Sequence, residues 1–180
     1  MKFSPPAADL ILELGYVLNE LVTQGRIDQT MAEQCLGVRM QGDGKHSLHP
    51  LEVIAEQQLD DLQRPGKKLD LETLTEWLAD WATQPYLRID PLKIDVAAVT
   101  PLMSYAFAQR HKILAVAQDH ASVTIVSSQP FVRSWEPDLA HVLRRDIKRV
   151  VANPADIRRF TTEFYRLAQS VSGASGQEYA

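Results

Sequence analysis

The chain has 180 residues, of which 45% are hydrophobic and 23% are charged, and its formal net charge is −4. This length can bury a core and form one or two small domains. No apolar run reaches the roughly 18 residues of a membrane-spanning helix, and the N-terminus lacks the features of a signal peptide, so we expect a cytoplasmic protein. Cys35 is the single cysteine, which excludes an internal disulfide and a cysteine-based zinc site.

The first part of the chain, residues 1–83, is predicted to be all-helical. Its apolar residues recur with the spacing of one helix face, and residues that typically start helices, Asp28, Pro50 and Asp70, precede three of the segments. The stretch 37–49 contains three glycines and is predicted to be a loop. The four predicted helices cover residues 9–21, 29–38, 51–62 and 71–81.

From Tyr86 onward the pattern becomes that of a mixed α/β unit. Apolar and β-branched runs separated by polar turns indicate strands, and Asp119 to Ser122 has the composition of a hairpin turn. Asn153 and Pro154 are suited to the N-cap and first position of the last helix. The predicted strands cover residues 86–89, 112–118, 123–126 and 147–151, and the predicted helices cover 96–110, 135–145 and 155–171.

These elements predict an α+β fold class, with an N-terminal helical subdomain followed by an α/β sandwich that has a small sheet of three or four strands. The expected boundaries are residues 1–83 for the helical subdomain and 84–171 for the α/β domain. Residues 172–180 are rich in serine, glycine and alanine, the composition of a flexible linker.

Three segments resemble the N-terminal domain of the type II secretion and type IV pilus assembly ATPases. The first, from Trp77 to Asp95, contains the run Pro-Tyr-Leu-Arg-Ile-Asp-Pro-Leu-Lys-Ile-Asp. The second is Arg110-His111-Lys112 before a strand, and the third is Val150 to Ile157. The resemblance implies the front piece of a hexameric motor ATPase on the cytoplasmic face of the inner membrane. It also implies docking onto the cytoplasmic domain of an inner-membrane platform protein, with ATP and magnesium bound only by the parent's ATPase core.

One subgroup of this family binds cyclic di-GMP through two copies of a motif that opens with Arg-Leu-Gly. In this chain the two openings fall on Tyr16-Val17-Leu18 and Gln58-Leu59-Asp60. They lack the arginine forks and glycine amides that suit a bis-phosphate, and Asp60 would repel phosphate. Cyclic di-GMP sensing is therefore the alternative function. A weak repeat, Ile27-Asp28 and Leu69-Asp70, fits either two copies of a capped-helix unit or a chance similarity.

No residue pattern predicts catalysis by this chain alone. The nearest approach to a phosphate-binding loop, Gly42 to Ser47, has His46 after Lys45 and Arg39 in place of the first glycine. His46 and His49 could share a metal, but no further ligands join them, so we interpret them as loop histidines. We therefore expect neither enzymatic activity nor a cofactor or metal site in this chain.

Positive charge is concentrated near the C-terminus. Residues 131–166 carry 8 Lys and Arg against 5 Asp and Glu, whereas residues 1–130 carry 11 against 17. Such a region could bind an acidic partner, although a solvated helix surface interleaved with Asp146 and Asp156 would have the same composition. Nucleic acid is not expected as a partner, because the net charge is negative and no aromatic residues interleave the basic ones. The candidate partner-binding residues are Arg144, Arg145, Lys148, Arg149, Arg158 and Arg159.

Overall fold

The computed structural model describes residues 8–41 and 48–175, which form α-helices, two short 3-10 helices and a three-stranded sheet. The helices are α1 (Leu14–Thr23), α2 (Gln29–Gln41), α3 (Pro50–Glu56), α4 (Leu71–Ala82), α5 (Val96–Val99), α6 (Tyr105–His111), α7 (Glu136–Leu143) and α8 (Pro154–Ser175), and the strands are β1 (Ile113–Gln118), β2 (Ser122–Ser127) and β3 (Asp146–Val151). Helices come first and a mixed α/β region follows, which confirms the predicted fold class. Within the described ranges, no helix has the length and hydropathy needed to cross a bilayer.

The starts of three leader helices follow their capping residues. The carboxylates of Asp28 and Asp70 each accept a hydrogen bond from the backbone N–H three residues further on, at 2.8 and 2.7 Å. Pro50 is the first residue of α3, where the His49 ring caps the helix and the Glu52 carboxylate accepts the N–H of His49 at 3.1 Å. The predicted starts of the second and fourth helices are confirmed, and the third begins at the expected proline.

The first helix is shorter than predicted. It begins at Leu14, because the residues before it are extended along the loop that follows β2. There the N–H of Leu10 donates to the carbonyl oxygen of Phe131 at 3.1 Å, and the N–H of Leu12 donates to Gln129 Oε1 at 2.9 Å. Hydrogen bonds to a remote loop thus replace the predicted first turn of helix.

The second and third helices also end elsewhere than predicted. α2 continues to Gln41, so the first part of the predicted loop is helical; residues 42–47 of the loop lie outside the described residues, and Leu48 and His49 precede α3 as predicted. α3 ends at Glu56, six residues early, because Gln58 adopts a positive φ of 48° and the chain turns back on itself.

The predicted strand over residues 86–89 is wrong in extent. Tyr86 forms a single parallel bridge with Val151, and the N–H of Leu87 donates to the Val151 oxygen at 2.9 Å. The Asp90 carboxylate then accepts the N–H of Leu92 at 3.1 Å and starts the 3-10 helix Pro91–Lys93. The chain therefore leaves the sheet edge after one bridge.

The predicted helix over residues 96–110 is divided into α5, the 3-10 helix Thr100–Leu102 and α6. Pro101 has no N–H to donate to the preceding turn, which ends the first helix. Ser104 Oγ accepts the N–H of Phe107 at 3.1 Å and so starts a new helix.

The sheet has the order β1-β2-β3, with β1 antiparallel to β2 and β2 parallel to β3. The predicted hairpin is confirmed. Side chains alternate between the two faces, and two apolar clusters result. One contains Ile113, Ala115, Ile125, Trp135 and Leu139, and the other contains Leu114, Val116, Val126, Ile157, Phe160 and Phe164. α7 therefore covers one face of the sheet and α8 covers the other.

The last helix starts as predicted, because Asn153 Oδ1 accepts the N–H of Ala155 at 2.9 Å and Pro154 is the first helical residue. α8 extends to Ser175, so the first residues of the predicted linker are helical. The remainder, residues 176–180, lies outside the described residues.

The helical leader, α1 to α4, packs directly on the α/β region. Its apolar cluster includes Trp77 and Trp81 and continues into Phe131, whose ring centroid lies 5.1 Å from that of Trp81. Side chains of the leader also bind the α/β region: Glu52 pairs with Arg158 at 2.8 Å, Glu72 accepts from Asn153 Nδ2 at 2.8 Å, and His49 Nε2 donates to the Ser128 oxygen at 2.7 Å. Apolar and polar contacts together join the two parts.

Candidate functional site

The six candidate partner-binding residues lie on three elements and do not form one surface. Arg144 and Arg145 follow α7, Lys148 and Arg149 lie in β3, and Arg158 and Arg159 lie in the first half of α8. Their burial and partners separate them into three groups.

Arg149 is part of the interior. Its side chain is 7% exposed, its Nη1 lies 3.7 Å from Glu136 Oε2, and its guanidinium lies 5.0 Å from the ring centroid of Trp135. Nη2 donates to the backbone oxygen of Gln129 at 3.3 Å. Burial lowers the pKa of the Arg149 guanidinium, which Glu136 partly offsets. These contacts hold the loop between β2 and α7 and leave Arg149 inaccessible to a partner.

We call four residues between the end of α7 and the middle of β3 the α7–β3 corner: Val142, Arg144 and Lys148 are exposed, and Arg145 is half-buried. Lys148 is exposed although it neighbours buried Arg149, because successive strand residues point to opposite faces. Arg145 donates to the side chain of Gln118, whereas Arg144 and Lys148 form no ion pair with another described residue. Val142 adds an apolar side chain that is 74% exposed. The corner thus carries three basic side chains and one apolar side chain, with exposed Asp146 between Arg145 and Lys148 and with Lys148 close enough to Asp119 to lower the pKa of that carboxyl.

The two arginines of α8 have partners within the chain. Arg158 binds Glu52 through two hydrogen bonds of 2.8 and 3.3 Å. Burial acts to raise the pKa of the Glu52 carboxyl, but hydrogen bonds from Arg158 and the His49 backbone lower it overall. Arg159 pairs with Glu163 at 2.8 Å, one helical turn further on. Both positive charges are therefore balanced locally.

A buried ion pair in the leader was not predicted from the sequence. Arg26 binds Asp61 through Nε at 3.0 Å and Nη2 at 2.7 Å, and the Asp61 side chain has no exposed area. The N–H of Leu62 also donates to the Arg26 oxygen at 3.0 Å. The two residues are 35 positions apart, and no local pattern in a single sequence marks such a pair. It joins the turn after α1 to the loop after α3.

Residues at the two positions of the cyclic di-GMP motif openings are buried or have partners within the chain. Val17 and Leu18 are 0% and 1% exposed and belong to the leader core. Tyr16 packs its ring 5.5 Å from that of Trp81. In the second opening Asp60 pairs with Lys68 at 2.6 Å on the surface.

The other residues considered for metal or phosphate binding are the histidines and the glycine-rich segment between α2 and α3. Within the described ranges, no group of three or more His, Cys, Asp and Glu residues could hold a metal ion. Burial lowers the pKa of His49 to about 4, so its ring is neutral at pH 7 and serves as the α3 cap. The near match to a phosphate-binding loop at residues 42–47, which includes His46, lies outside the described residues.

Comparison with known proteins shows which family shares this arrangement. Residues 83–171 match the model of the MshEN domain. The type IV pilus assembly ATPase TfpB of Acinetobacter baylyi is 34% identical over 163 residues, which are 89% of this chain and 27% of that protein. A structure of MshE with cdg is similar with a TM-score of 0.56 at 18% identity, over 86% of this chain and 99% of that one. The N-terminal domain of XpsE is similar with a TM-score of 0.45 at 10% identity, over 81% and 91%.

The fold and these matches define an MshEN domain preceded by a helical leader. The chain belongs to the N-terminal domains of the type II secretion and type IV pilus assembly ATPases, as the sequence resemblance predicted. It spans 27% of the length of the curated relative that it matches.

Proposed function

We propose that this chain is the docking and regulatory part of a secretion or pilus motor ATPase, and that it binds the cytoplasmic domain of an inner-membrane platform protein. Through that contact it couples ATP hydrolysis in the parent's core to protein secretion or pilus assembly. The parent is hexameric and cytoplasmic, is held at the inner membrane by its partner, and carries the ATP and magnesium sites. Neither nucleic acid nor the lipid bilayer is a direct partner of this chain.

The observation that carries this proposal is the α7–β3 corner. Arg144, Arg145 and Lys148 form no ion pair with a described residue, while Arg149, Arg158 and Arg159 are already paired. An exposed apolar side chain, Val142, followed in the chain by basic ones has the composition of a small protein-binding surface, which combines apolar and polar groups. The corner is therefore the part of the basic region that suits an acidic protein partner.

The charge of the chain also favours docking through the α7–β3 corner. The whole chain is acidic, with a net charge of −4, so a second acidic protein is repelled from most of its surface. The corner is a local exception, and complementary charge there would steer association and fix the docking geometry. Binding through the corner would weaken as salt screens exposed charges over about 10 Å.

The test is calorimetric titration of the 180-residue chain with the platform protein's cytoplasmic domain. We expect binding, and we expect the double variant Arg144→Glu/Arg145→Glu to weaken it by about tenfold or more. A matched control reverses two exposed charges in the leader, Arg64→Glu/Lys67→Glu, and should bind like the unmodified chain. No binding at roughly 50 µM would count heavily against docking. Equal losses in both variants would count against the corner.

The alternative function is sensing of cyclic di-GMP. It is supported by the shared fold with MshE, whose structure was solved with cdg. The burial of Val17 and Leu18 and the Asp60–Lys68 pair favour docking over this alternative. Titration with cyclic di-GMP is expected to give no heat, and saturable heat would reverse the preference between the two functions.

A further inference from the structure

A shallow pocket lies between α6 and the middle of α8, and none of its lining residues belongs to the α7–β3 corner. Its volume is about 190 Å³, and its lining residues are Tyr105, Thr162, Tyr165, Arg166 and Gln169. Thr162, Tyr165 and Gln169 of α8 recur at intervals of three and four positions and Arg166 adjoins Tyr165, so the four residues lie on one side of the helix. Tyr105, the first residue of α6, closes the opposite side.

The aromatic wall of the pocket is held in place. The Tyr165 hydroxyl donates to the backbone oxygen of Met103 at 2.7 Å, which directs the hydroxyl inward and fixes the ring. Burial raises the pKa of Tyr165 to about 12, so the group remains a neutral donor at physiological pH. The ring centroid of Tyr105 lies 5.4 Å from that of Tyr165, with the planes inclined at 50°. The anchored Tyr165 ring and the Tyr105 ring in contact with it thus form the aromatic wall of the pocket.

The pocket has a positive charge that nothing in the described structure balances. Arg166 is exposed and forms no ion pair with a described residue, because the nearby Glu163 pairs with Arg159 at 2.8 Å. No lining residue is acidic, and Gln169 and Thr162 add side-chain hydrogen-bonding groups. A carboxylate on a short apolar stem is complementary to this set, since the stem can lie on the rings and the carboxylate can bind the guanidinium.

The size of the pocket limits the ligand. Sites that enclose a small organic molecule usually have volumes of roughly 300–1,000 Å³. A volume of about 190 Å³ is better suited to a single side chain. We propose that the α6–α8 pocket binds one glutamate or aspartate side chain of a protein partner, with its methylene groups on Tyr105 and Tyr165 and its carboxylate on Arg166. This inference rests on the proposed docking function for the partner's identity, but the preference for a carboxylate can be measured without that partner.

The direct experiment uses NMR spectroscopy of the ¹⁵N-labelled 180-residue chain and two blocked helical peptides that differ only in a central Glu or Gln. The Glu peptide should shift the amide resonances of residues 162–169 and of Tyr105, and the Gln peptide should bind about tenfold more weakly. Arg166→Gln should remove the difference between the peptides. Gln169→Glu, which adds a negative charge at the pocket, should abolish binding of the Glu peptide. Lys67→Gln removes an exposed charge in the leader and should change nothing.

A parallel titration with the platform protein's cytoplasmic domain separates failure of the pocket from failure of the docking function. If the Glu peptide binds at the pocket and the platform domain does not bind the unmodified chain, the pocket is supported and the platform protein is excluded as its partner. If the platform domain binds but the two peptides bind equally, or Arg166→Gln leaves the peptide preference intact, the pocket proposal is overturned and docking stands. Shifts spread over the whole surface, with equal effects of Arg166→Gln and Lys67→Gln, would also overturn it.

Discussion

Replacement of Arg26 by glutamine tests how the leader is held together. Asp61 accepts two hydrogen bonds from Arg26, at 3.0 and 2.7 Å, and one from the N–H of Gln63 at 3.0 Å. Its side chain has no exposed area, and the Arg26 side chain is 11% exposed. Arg26→Gln would leave the carboxylate in the interior with one backbone donor and without its counter-charge.

The magnitude follows from this burial. Removing one member of a buried ion pair typically costs about 3–5 kcal/mol, because the remaining charge is neither solvated nor neutralised. We expect the free energy of unfolding of Arg26→Gln to fall by about 3 kcal/mol at pH 7. Replacing both partners by apolar residues, as in Arg26→Met/Asp61→Leu, removes the charge as well and should recover much of the loss.

The pH dependence should change sign. Burial alone would raise the pKa of Asp61, but hydrogen bonds from Arg26 and Gln63 hold it below its ordinary value of 3.8. Its stabilising contribution is therefore present above about pH 4 and is lost as the pH falls through the lowered folded-state pKa. Without Arg26 the burial effect dominates and the folded-state pKa rises. The variant then becomes more stable as acid protonates Asp61, and its deficit relative to the unmodified chain shrinks below pH 4–5.

Urea unfolding followed by tryptophan fluorescence at pH 7 and pH 4 measures both effects. The matched control is Lys68→Gln, which breaks the exposed Asp60–Lys68 pair, whose side chains are 66% and 56% exposed. That change should cost less than about 1 kcal/mol. A loss for Arg26→Gln no larger than that of Lys68→Gln, or one independent of pH, would refute the reasoning.

Three further predictions address the core, the last helix and its attachment. Trp81→Ala should lower the free energy of unfolding by about 3–5 kcal/mol, since the ring is 8% exposed and contacts Phe131; a chemical denaturation midpoint close to that of the unmodified chain would contradict this. Asn153→Ala removes both the α8 cap and the bond to Glu72 and should cost about 2 kcal/mol, whereas Asn153→Ser keeps a capping oxygen without placing a negative charge beside Glu72 and should lose less; equal losses would show that the cap is unimportant. Tyr86→Phe removes the hydroxyl bound to Glu72 and should cost about 1 kcal/mol by thermal unfolding, and an unchanged midpoint would count against that bond.

The parts of the fold predicted from the sequence depend on contacts between near neighbours. Asp28, Asp70 and Asn153 each bind backbone N–H groups two or three residues further on, so the residue type alone indicates where the helix starts. The hairpin of β1 and β2 is likewise signalled by its own turn, in which Asp119 accepts the N–H groups of Ala121 and Ser122. The partners in such interactions are close together in the sequence, so the sequence alone indicates them.

The secondary-structure predictions are wrong where a residue far away in the sequence determines the local conformation. Residues 9–13 have helical spacing, but they pair with the loop at 129–134 across more than a hundred positions, so they are extended. Residues 86–89 have strand composition, yet β3 offers them a single bridge before Asp90 starts a helical turn. Hydrogen-bond partners of this kind depend on how distant segments of the chain pack together, and they produce no periodic pattern in the local sequence.

The sequence by itself determined the class of the fold and the presence of a basic C-terminal region, since these follow from local pattern and composition, and the resemblance of three of its segments indicated the family. Only the tertiary structure decided which basic residues are accessible. Neighbouring Lys148 and Arg149 have the same charge, but strand alternation exposes one and buries the other against Trp135. Arg158 belongs to the same basic region of the sequence, but its charge is paired with Glu52, 106 positions earlier. The two side chains meet because the leader packs against α8.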